Sequence, residues 1–355
     1  MNQRVDIDAL SCFHEAEECL AERSLVKAVR GFNQAEQMGA DPDECAGKRW
    51  LCSMLMGEFD LAWMESDAIR TRGHADPHHF WNGEELKDKT VVVRCLHGLG
   101  DAIQFLRYSK LLGKMVGKLI VEVPPALYPL APFVADLGEP PTQLITWGPN
   151  APSVQPKWDV QLEVTELPYV FRTLLGDLPL STSYLVLPDK MVKHVAQVMG
   201  QSERRRVGVV WAAGQWNQSR SVQLTMLSSL LDNCRVDWWS LQGGTAAQEW
   251  GRYRTTHRRY DASSCGEGLL PLAAAIANLD LVITVDTLAA HLAGSMGKPA
   301  WVMLQYAADW RWMIDRADSP WYPSLRLFRQ PSPGDWSSVV ECLRQELDCF
   351  DANRK

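Results

Sequence analysis

Residues 279–296 read LDLVITVDTLAAHLAGSM, and the fold turns on them. LDLVITV (279–285) is a short run of β-branched and apolar residues, the pattern of a strand buried on both faces in a parallel sheet. It stops at Asp286-Thr287, either of which can cap a helix. The stretch TLAAHLAGSM (287–296) that follows is small and apolar, and predicts a helix. His291 lies about one turn into it. A histidine on such a face is ordinarily a satisfied core residue. Its place just past a strand end and a cap adds a second reading, contact with a phosphate held at the helix N-terminus.

The same punctuation extends in both directions. VGVVWA (207–212), DWWSLQ (237–242), PAWVMLQ (299–305) and SLRLFRQ (324–330) are strand candidates, with helices at 224–233, 269–279 and 287–296 between them. A final amphipathic helix covers 336–350. Upstream, VVVRCL (91–96) and KLIVEV (118–123) are strands around the helical FLRYSKLLGKM, and weaker strands follow near 143–147 and 158–164. Alternation of this kind implies mostly parallel sheets. It forms two αβ units of similar size joined near 190–205, which predicts two doubly wound domains facing across a cleft.

Residues 1–76 are different. They contain no β-branched run, and apolar or small residues recur at helical spacing. Offsetting the chain by 34 residues aligns Leu20 with Met54, Leu25 with Phe59, Ala28 with Ala62 and Gly39 with Gly73. Thirty-four is the tetratricopeptide period, so two copies of one helix pair are expected. Cys12/Cys19 and Cys45/Cys52 share a helix face, but no Cys-x2-Cys spacing supports a zinc site, and buried small hydrophobes are the better reading. His74, His78 and His79 fall in a turn-rich linker, GHADPHHFW.

Nine cysteines, an odd number, argue against a disulfide framework. A net charge of −7 argues against a chain whose task is to coat nucleic acid. No apolar run is long enough to span a bilayer, and the acidic N-terminus does not read as a signal peptide, so a cytoplasmic location is expected. The basic clusters Arg204–Arg206 and RYRTTHRRY (252–260) suit a solvated face better than a phosphate-rich acceptor. Fifteen tryptophans outnumber both tyrosine and phenylalanine and crowd towards the C-terminus, where large flat side chains can wall a ligand.

Four loops follow strands. In His97-Gly98-Leu99-Gly100-Asp101 the glycines let the backbone turn and approach a ligand, and Asp101 is either a helix cap or a general base. A dinucleotide site is disfavoured there: the third glycine position is Ile103, and Glu122 sits inside its strand rather than at its end. WAAGQWNQSRS (211–221) supplies polar donors, with Arg220 able to clamp a diphosphate. SLQGG (240–244) permits close backbone approach, and Asp286–His291 is the strongest of the four.

GLGDAIQFLRY, VGVVWA, RS, SLQ, DLVITVDTLAAHLAGSMGKPAWVML and DWRWMIDRADSPWYPSLRLFRQ occur in that order. Over residues 81–345 the chain resembles bacterial glycosyltransferases of the ADP-heptose:lipopolysaccharide heptosyltransferase type (family 9). Within these it is most similar to the subgroup that carries tetratricopeptide repeats in front of the transferase. The resemblance implies an α/β GT-B fold of two facing Rossmann-like domains behind a small all-helical region. The expected boundaries are 1–80 for the helical repeats, 81–200 for the acceptor domain and 201–335 for the nucleotide-sugar domain. A C-terminal helix over 336–355 is expected to pack back on the first αβ domain.

The resemblance also implies inverting transfer from a nucleoside-diphosphate sugar to a hydroxyl of a glycan or protein, with no cofactor and no metal. Asp101 would be the catalytic base. Gly98, Gly100, Arg220, Gln242, Asp286, Thr287, His291, Trp310 and Arg311 would bind the nucleotide sugar, with Trp310 and Trp312 in the cleft and Trp301 in the core. Two departures stand out. His97 occupies a position where glutamine is expected, and the loop after Trp211 is short. The competing function is a non-catalytic scaffold that binds a protein partner through its repeats. Asp101 favours the enzyme.

Overall fold

The computed structural model of the protein describes residues 2–73, 79–137, 142–179, 183–254 and 257–352. His74 and His78 lie outside them. Along the chain come helices α1 (Asn2–Ala21), α2 (Leu25–Gln37), α3 (Pro42–Met56) and α4 (Phe59–Arg72), followed by β1 (Thr90–Arg94), α5 (Leu99–Phe105), α6 (Ser109–Gly113), β2 (Lys118–Val123), β3 (Gln143–Thr146) and β4 (Val160–Glu163). Next are α7 (Leu167–Val170), α8 (Asp189–Met199), β5 (Arg205–Val210), α9 (Ser228–Leu231), β6 (Val236–Ser240), α10 (Ala247–Arg252) and β7 (Arg259–Asp261). The chain ends with α11 (Leu269–Ala277), β8 (Leu281–Val285), α12 (Leu288–Ser295), β9 (Ala300–Leu304), β10 (Leu325–Arg329) and α13 (Trp336–Ala352). No helix among the described residues is long and apolar enough to cross a membrane.

Two compact units emerge. One takes Met1–Gly83 together with two excursions from later in the chain, Glu166–Leu180 and Ala307–Arg316. Its helices follow local rules. Asp41 caps α3 by accepting from the amides of Asp43 (2.8 Å) and Glu44 (2.9 Å), Pro42 opens the first turn, and Gly57 closes it at a φ of +81°. α2 starts at Leu25 and α4 at Phe59, and each buries that residue and the alanine three further on. Phe13, Phe32, Cys45 and Cys52 share one core, so these thiols pack as small hydrophobes, and all nine cysteines are free. Arg49, nearly buried, ties α3 to its neighbours through Glu36 (2.5 Å) and Glu65 (2.6 and 2.8 Å).

The excursions complete this unit rather than the αβ domains to which the sequence assigned them. Trp63 donates to the carbonyl of Thr173 (2.8 Å), and Asp67 accepts from Arg172 (2.6 and 2.8 Å) and the Tyr169 hydroxyl (2.6 Å). Ile314 donates to the Leu55 carbonyl (3.2 Å), and Trp310 stands edge-on to Trp50 at 5.7 Å.

The other unit holds two wholly parallel sheets, ordered β3-β2-β1-β4 and β10-β9-β8-β5-β6-β7. In the larger sheet alternate residues divide between its faces. Val207, Val209, Trp238, Ile283, Met303 and Phe328 join a core with Leu227, Leu230 and the apolar stripe of α13 (Trp336, Val339, Val340, Leu343, Leu347). The C-terminal helix therefore covers the second sheet, correcting the expectation that it returns to the first domain. Its amphipathic period marks an apolar face without naming the surface that receives it. α11 and α12 pack on one another, and α12 lies over β8 and β9.

The expected strands are all present, and one was missed. β7 arises inside the basic cluster, because Tyr260 stacks on Trp239 (centroids 4.6 Å apart) and Arg259 lies over the Trp250 ring. α8, expected in the first domain, packs on α11.

Candidate functional site

In the larger sheet, β5, β6 and β7 step one way and β8, β9 and β10 the other, so the order reverses between β5 and β8. In the smaller sheet it reverses between β1 and β4. Ligands of open parallel sheets collect at the carboxyl ends of strands flanking such a reversal.

At the β5/β8 reversal, β8 runs into Asp286 and Thr287, and α12 begins at Leu288. The Thr287 hydroxyl lies 2.9 Å from that of Thr284 and makes no cap bond to the helix start. The loop leaving β5 is folded back on itself, Ala213 donating to the Ser221 hydroxyl (3.0 Å) and Val222 to the Trp211 carbonyl (2.9 Å). Arg220 then reaches across the reversal. It donates to the Asp286 carbonyl (3.1 Å), and its guanidinium lies 3.6 Å from the Asp286 carboxylate. Arg220, Asp286 and Thr287, grouped on sequence, are together in space.

Gln242 differs from its sequence reading. Its carbonyl accepts from the amides of Trp211 (3.1 Å) and Ala212 (2.9 Å), and its amide donates to the carbonyls of Ala212 (3.1 Å) and Gly243 (3.0 Å). This side chain pins the β5 loop, with its hydrogen-bonding capacity spent on backbone. Gln305, at the end of β9, was not singled out on sequence. It accepts from the Ser219 hydroxyl and secures the other limb of that loop.

At the β1/β4 reversal, Asp101 sits in the first turn of α5 and accepts the Gly98 amide at 3.0 Å. Neither Gly98 nor Gly100 has a positive φ, so neither serves a tight turn. The physical demand at Gly100 is packing: a Cβ there would lie 2.6 Å from His291 Cδ2 and 3.1 Å from Nε2. The first turn of α5 thus presses directly on α12. Glu163, at the end of β4 and fully buried, accepts from the Leu96 amide (3.3 Å) and from the amide and hydroxyl of Thr165, and lies 4.0 Å from His97 Nε2. Sequence reasoning missed Glu163; its one signal was an acid closing a strand. Glu122 is ion-paired with Arg94 at 2.5 Å, which removes it as a ribose-binding acid.

His291 is buried, with Nδ1 3.0 Å from the Tyr322 hydroxyl. Trp301 lies in the core beside Phe328, as expected. Trp312 is fully buried rather than lining a cleft, because its turn packs into the helical unit. Trp310 and Arg311 belong to that unit too: Arg311 lies over the Trp310 ring at 4.6 Å and pairs with Asp309 at 2.8 Å.

No family model matches the chain. It is similar to Protein FlbA of Caulobacter vibrioides, 24% identical over 294 residues, which is 77% of this chain; the match spans 48% of that protein, about half its length. Among solved structures, the glycosyl transferase family 9 protein from Veillonella parvula aligns with a TM-score of 0.54 at 13% identity, covering 76% of this chain and 99% of that one. The E. coli ADP-heptose LPS heptosyltransferase II aligns with a TM-score of 0.52 at 11% identity, covering 74% and 98%. The E. coli heptosyltransferase WaaC with ADP-2-deoxy-2-fluoro heptose gives 0.51 at 12% identity, covering 74% and 99%. The shared feature at these identities is the fold, α/β with parallel sheets.

Proposed function

We propose that this chain is a cytoplasmic glycosyltransferase with a GT-B arrangement, acting from a nucleoside-diphosphate sugar of the ADP-heptose kind on a hydroxyl of a glycan or protein. One observation carries the reading: the first turn of α5, which bears Asp101, packs through Gly100 against His291 of α12, so the helices that follow the two strand reversals meet. Likeness of fold to the three transferases above supports it.

In this reading Asp101 takes the proton of the acceptor hydroxyl as its oxygen attacks the anomeric carbon from the face opposite the leaving group. A new C–O bond forms, the bond to the diphosphate oxygen breaks, and the configuration inverts. The departing charge is met by the amides opening α12, by Arg220 and by His291, with no metal required. Asp286 holds Arg220 in place and Thr287 lines the same turn. Gly98, Gly100 and Gln242 shape the two loops. The four N-terminal helices are read as a pair of tetratricopeptide-type repeats offering a surface to a protein acceptor or partner.

Calorimetric titration with ADP, GDP, UDP and CMP, followed by turnover of matched sugar nucleotides over a panel of glycan and protein acceptors, tests the proposal. Preferential binding of one nucleoside diphosphate, with turnover lost in Asp101→Asn, is the expected result. Tight binding without turnover on any acceptor would move the chain to the scaffold class.

A further inference from the structure

Behind His291 lies a buried cation. Arg107, in the single 3-10 turn that follows α5, is almost wholly enclosed. It donates to the carbonyls of Gln104 (2.8 Å) and Trp321 (2.8 Å) and to the hydroxyl of Tyr184 (3.1 Å), the Tyr322 oxygen also faces it, and three aromatic rings surround it. The guanidinium carbon lies 4.7 Å from the Tyr184 ring centroid, 4.8 Å from that of Tyr322 and 5.5 Å from that of Trp321. Tyr322 is equally enclosed. Its ring is seated on α12 by Gly294, where a Cβ would come within 2.4 Å, one turn beyond His291.

The proton of the Tyr322 hydroxyl has few places to go. Burial, with Tyr184 beside it, pushes Tyr322 well above the usual phenol range, so the hydroxyl keeps its proton. Arg107 has only donors to offer. The Tyr184 oxygen, which already accepts from Arg107, is 3.4 Å away, long for an O–H···O bond, and Tyr184 in turn donates to Ile103 (3.1 Å). His291 Nδ1, at 3.0 Å, is the remaining acceptor and the better placed one. A proton on Nδ1 would set two donors against each other and strand the Tyr322 proton in a dry site beside a positive charge.

We propose that Tyr322, backed by Arg107 and Tyr184, is a positioning residue that fixes His291 in the Nε2–H tautomer, so that the ring presents a donor rather than an acceptor on the side facing Gly100. That this donor serves the departing diphosphate rests on the proposed function; the tautomer itself does not.

Full-length protein labelled with 15N-histidine provides the test, with His291→Gln identifying the resonances of His291. Long-range 15N–1H correlation is expected to show Nε2 protonated and Nδ1 as a hydrogen-bonded acceptor. Tyr322→Phe, which keeps the ring on Gly294, is expected to shift the Nδ1 resonance to that of an unbonded nitrogen. A proton on Nδ1 in the wild type, or an Nδ1 resonance unmoved in Tyr322→Phe, overturns the assignment. ADP binding supplies the functional arm. Tyr322→Phe is expected to weaken it about tenfold, roughly the loss of one charge-assisted hydrogen bond, with no further loss when added to His291→Gln. Additive losses would mean that Tyr322 acts other than through His291. If the resonances behave as expected but no nucleoside diphosphate binds the wild type, the tautomer stands and the transferase reading falls.

Discussion

The two strand reversals share a topology and differ in chemistry. At the β1/β4 reversal the side chains are acids: Glu163 wholly buried, Glu122 answered by Arg94, and Asp101 on the next helix. The buried Cys95 between them registers that field, its thiol pushed well above the usual range by burial and then by Glu163, Glu122 and Asp101. At the β5/β8 reversal the groups are donors, the start of α12 and Arg220, with Asp286 as the acid that Arg220 answers, while Gln242 and Gln305 are spent on pinning the β5 loop. One edge gathers carboxylates, the other gathers hydrogen-bond donors around the start of α12. A shared fold does not carry that division of labour; the side chains at the strand ends do.

The sharpest way to break this contrast is at Asp101. If the first edge supplies the base, Asp101→Asn lowers turnover by about 10²–10⁴-fold while nucleotide affinity, measured calorimetrically, stays put. Equal loss of both would place Asp101 on the wrong side of the division. Arg220→Gln is the converse experiment. It is expected to weaken nucleoside-diphosphate binding about 10- to 100-fold, since a charge-assisted contact is lost, whereas Arg94→Gln at the acidic edge leaves that affinity unchanged.

Gly100→Ala tests the contact between the edges. Its Cβ would enter the van der Waals space of a histidine already held by Tyr322, and a destabilisation of about 1–3 kcal/mol is expected in urea unfolding. An unchanged midpoint would show that His291 yields freely. The smallest effect lies away from both reversals, at Asp67. Arg172, followed by Tyr169 and Arg70 and opposed by burial, lowers its carboxyl to about 2. The folded value lies below the unfolded one of about 4, so the contribution is full above about pH 4 and fades as pH falls towards about 2. Solvent screening keeps it to about 1 kcal/mol or less. The stability gap between wild type and Asp67→Asn is therefore expected to close between pH 4 and pH 2, and a gap independent of pH would refute the linkage.

Periodicity made the strands and the N-terminal helices legible, because burial on one face or on both leaves a linear signature. The loops around Asp101, Arg220 and Asp286 were legible because they follow strand ends. What stayed hidden was partnership. Nothing local distinguishes a glutamine that meets a ligand from one whose amide is spent on backbone, as Gln242 is. The glycine at 100 looked like a turn residue and is a packing residue. The tryptophans of DWRW looked like a cleft wall beside the donor loop and belong to the helical unit, since sequence proximity to β9 says nothing of where an excursion docks.

That excursion has a consequence for the order in which the chain is made. The helical unit draws on residues 166–180 and 307–316 to finish its packing, with Trp63 bonded to Thr173 and Leu55 to Ile314. During synthesis its first 83 residues therefore emerge with a core whose last pieces are translated more than two hundred residues later. The helices can form at once, yet the unit reaches its final state only after both parallel sheets have most of their strands. Truncation before residue 307 would leave the N-terminal helices incomplete as well as removing β10.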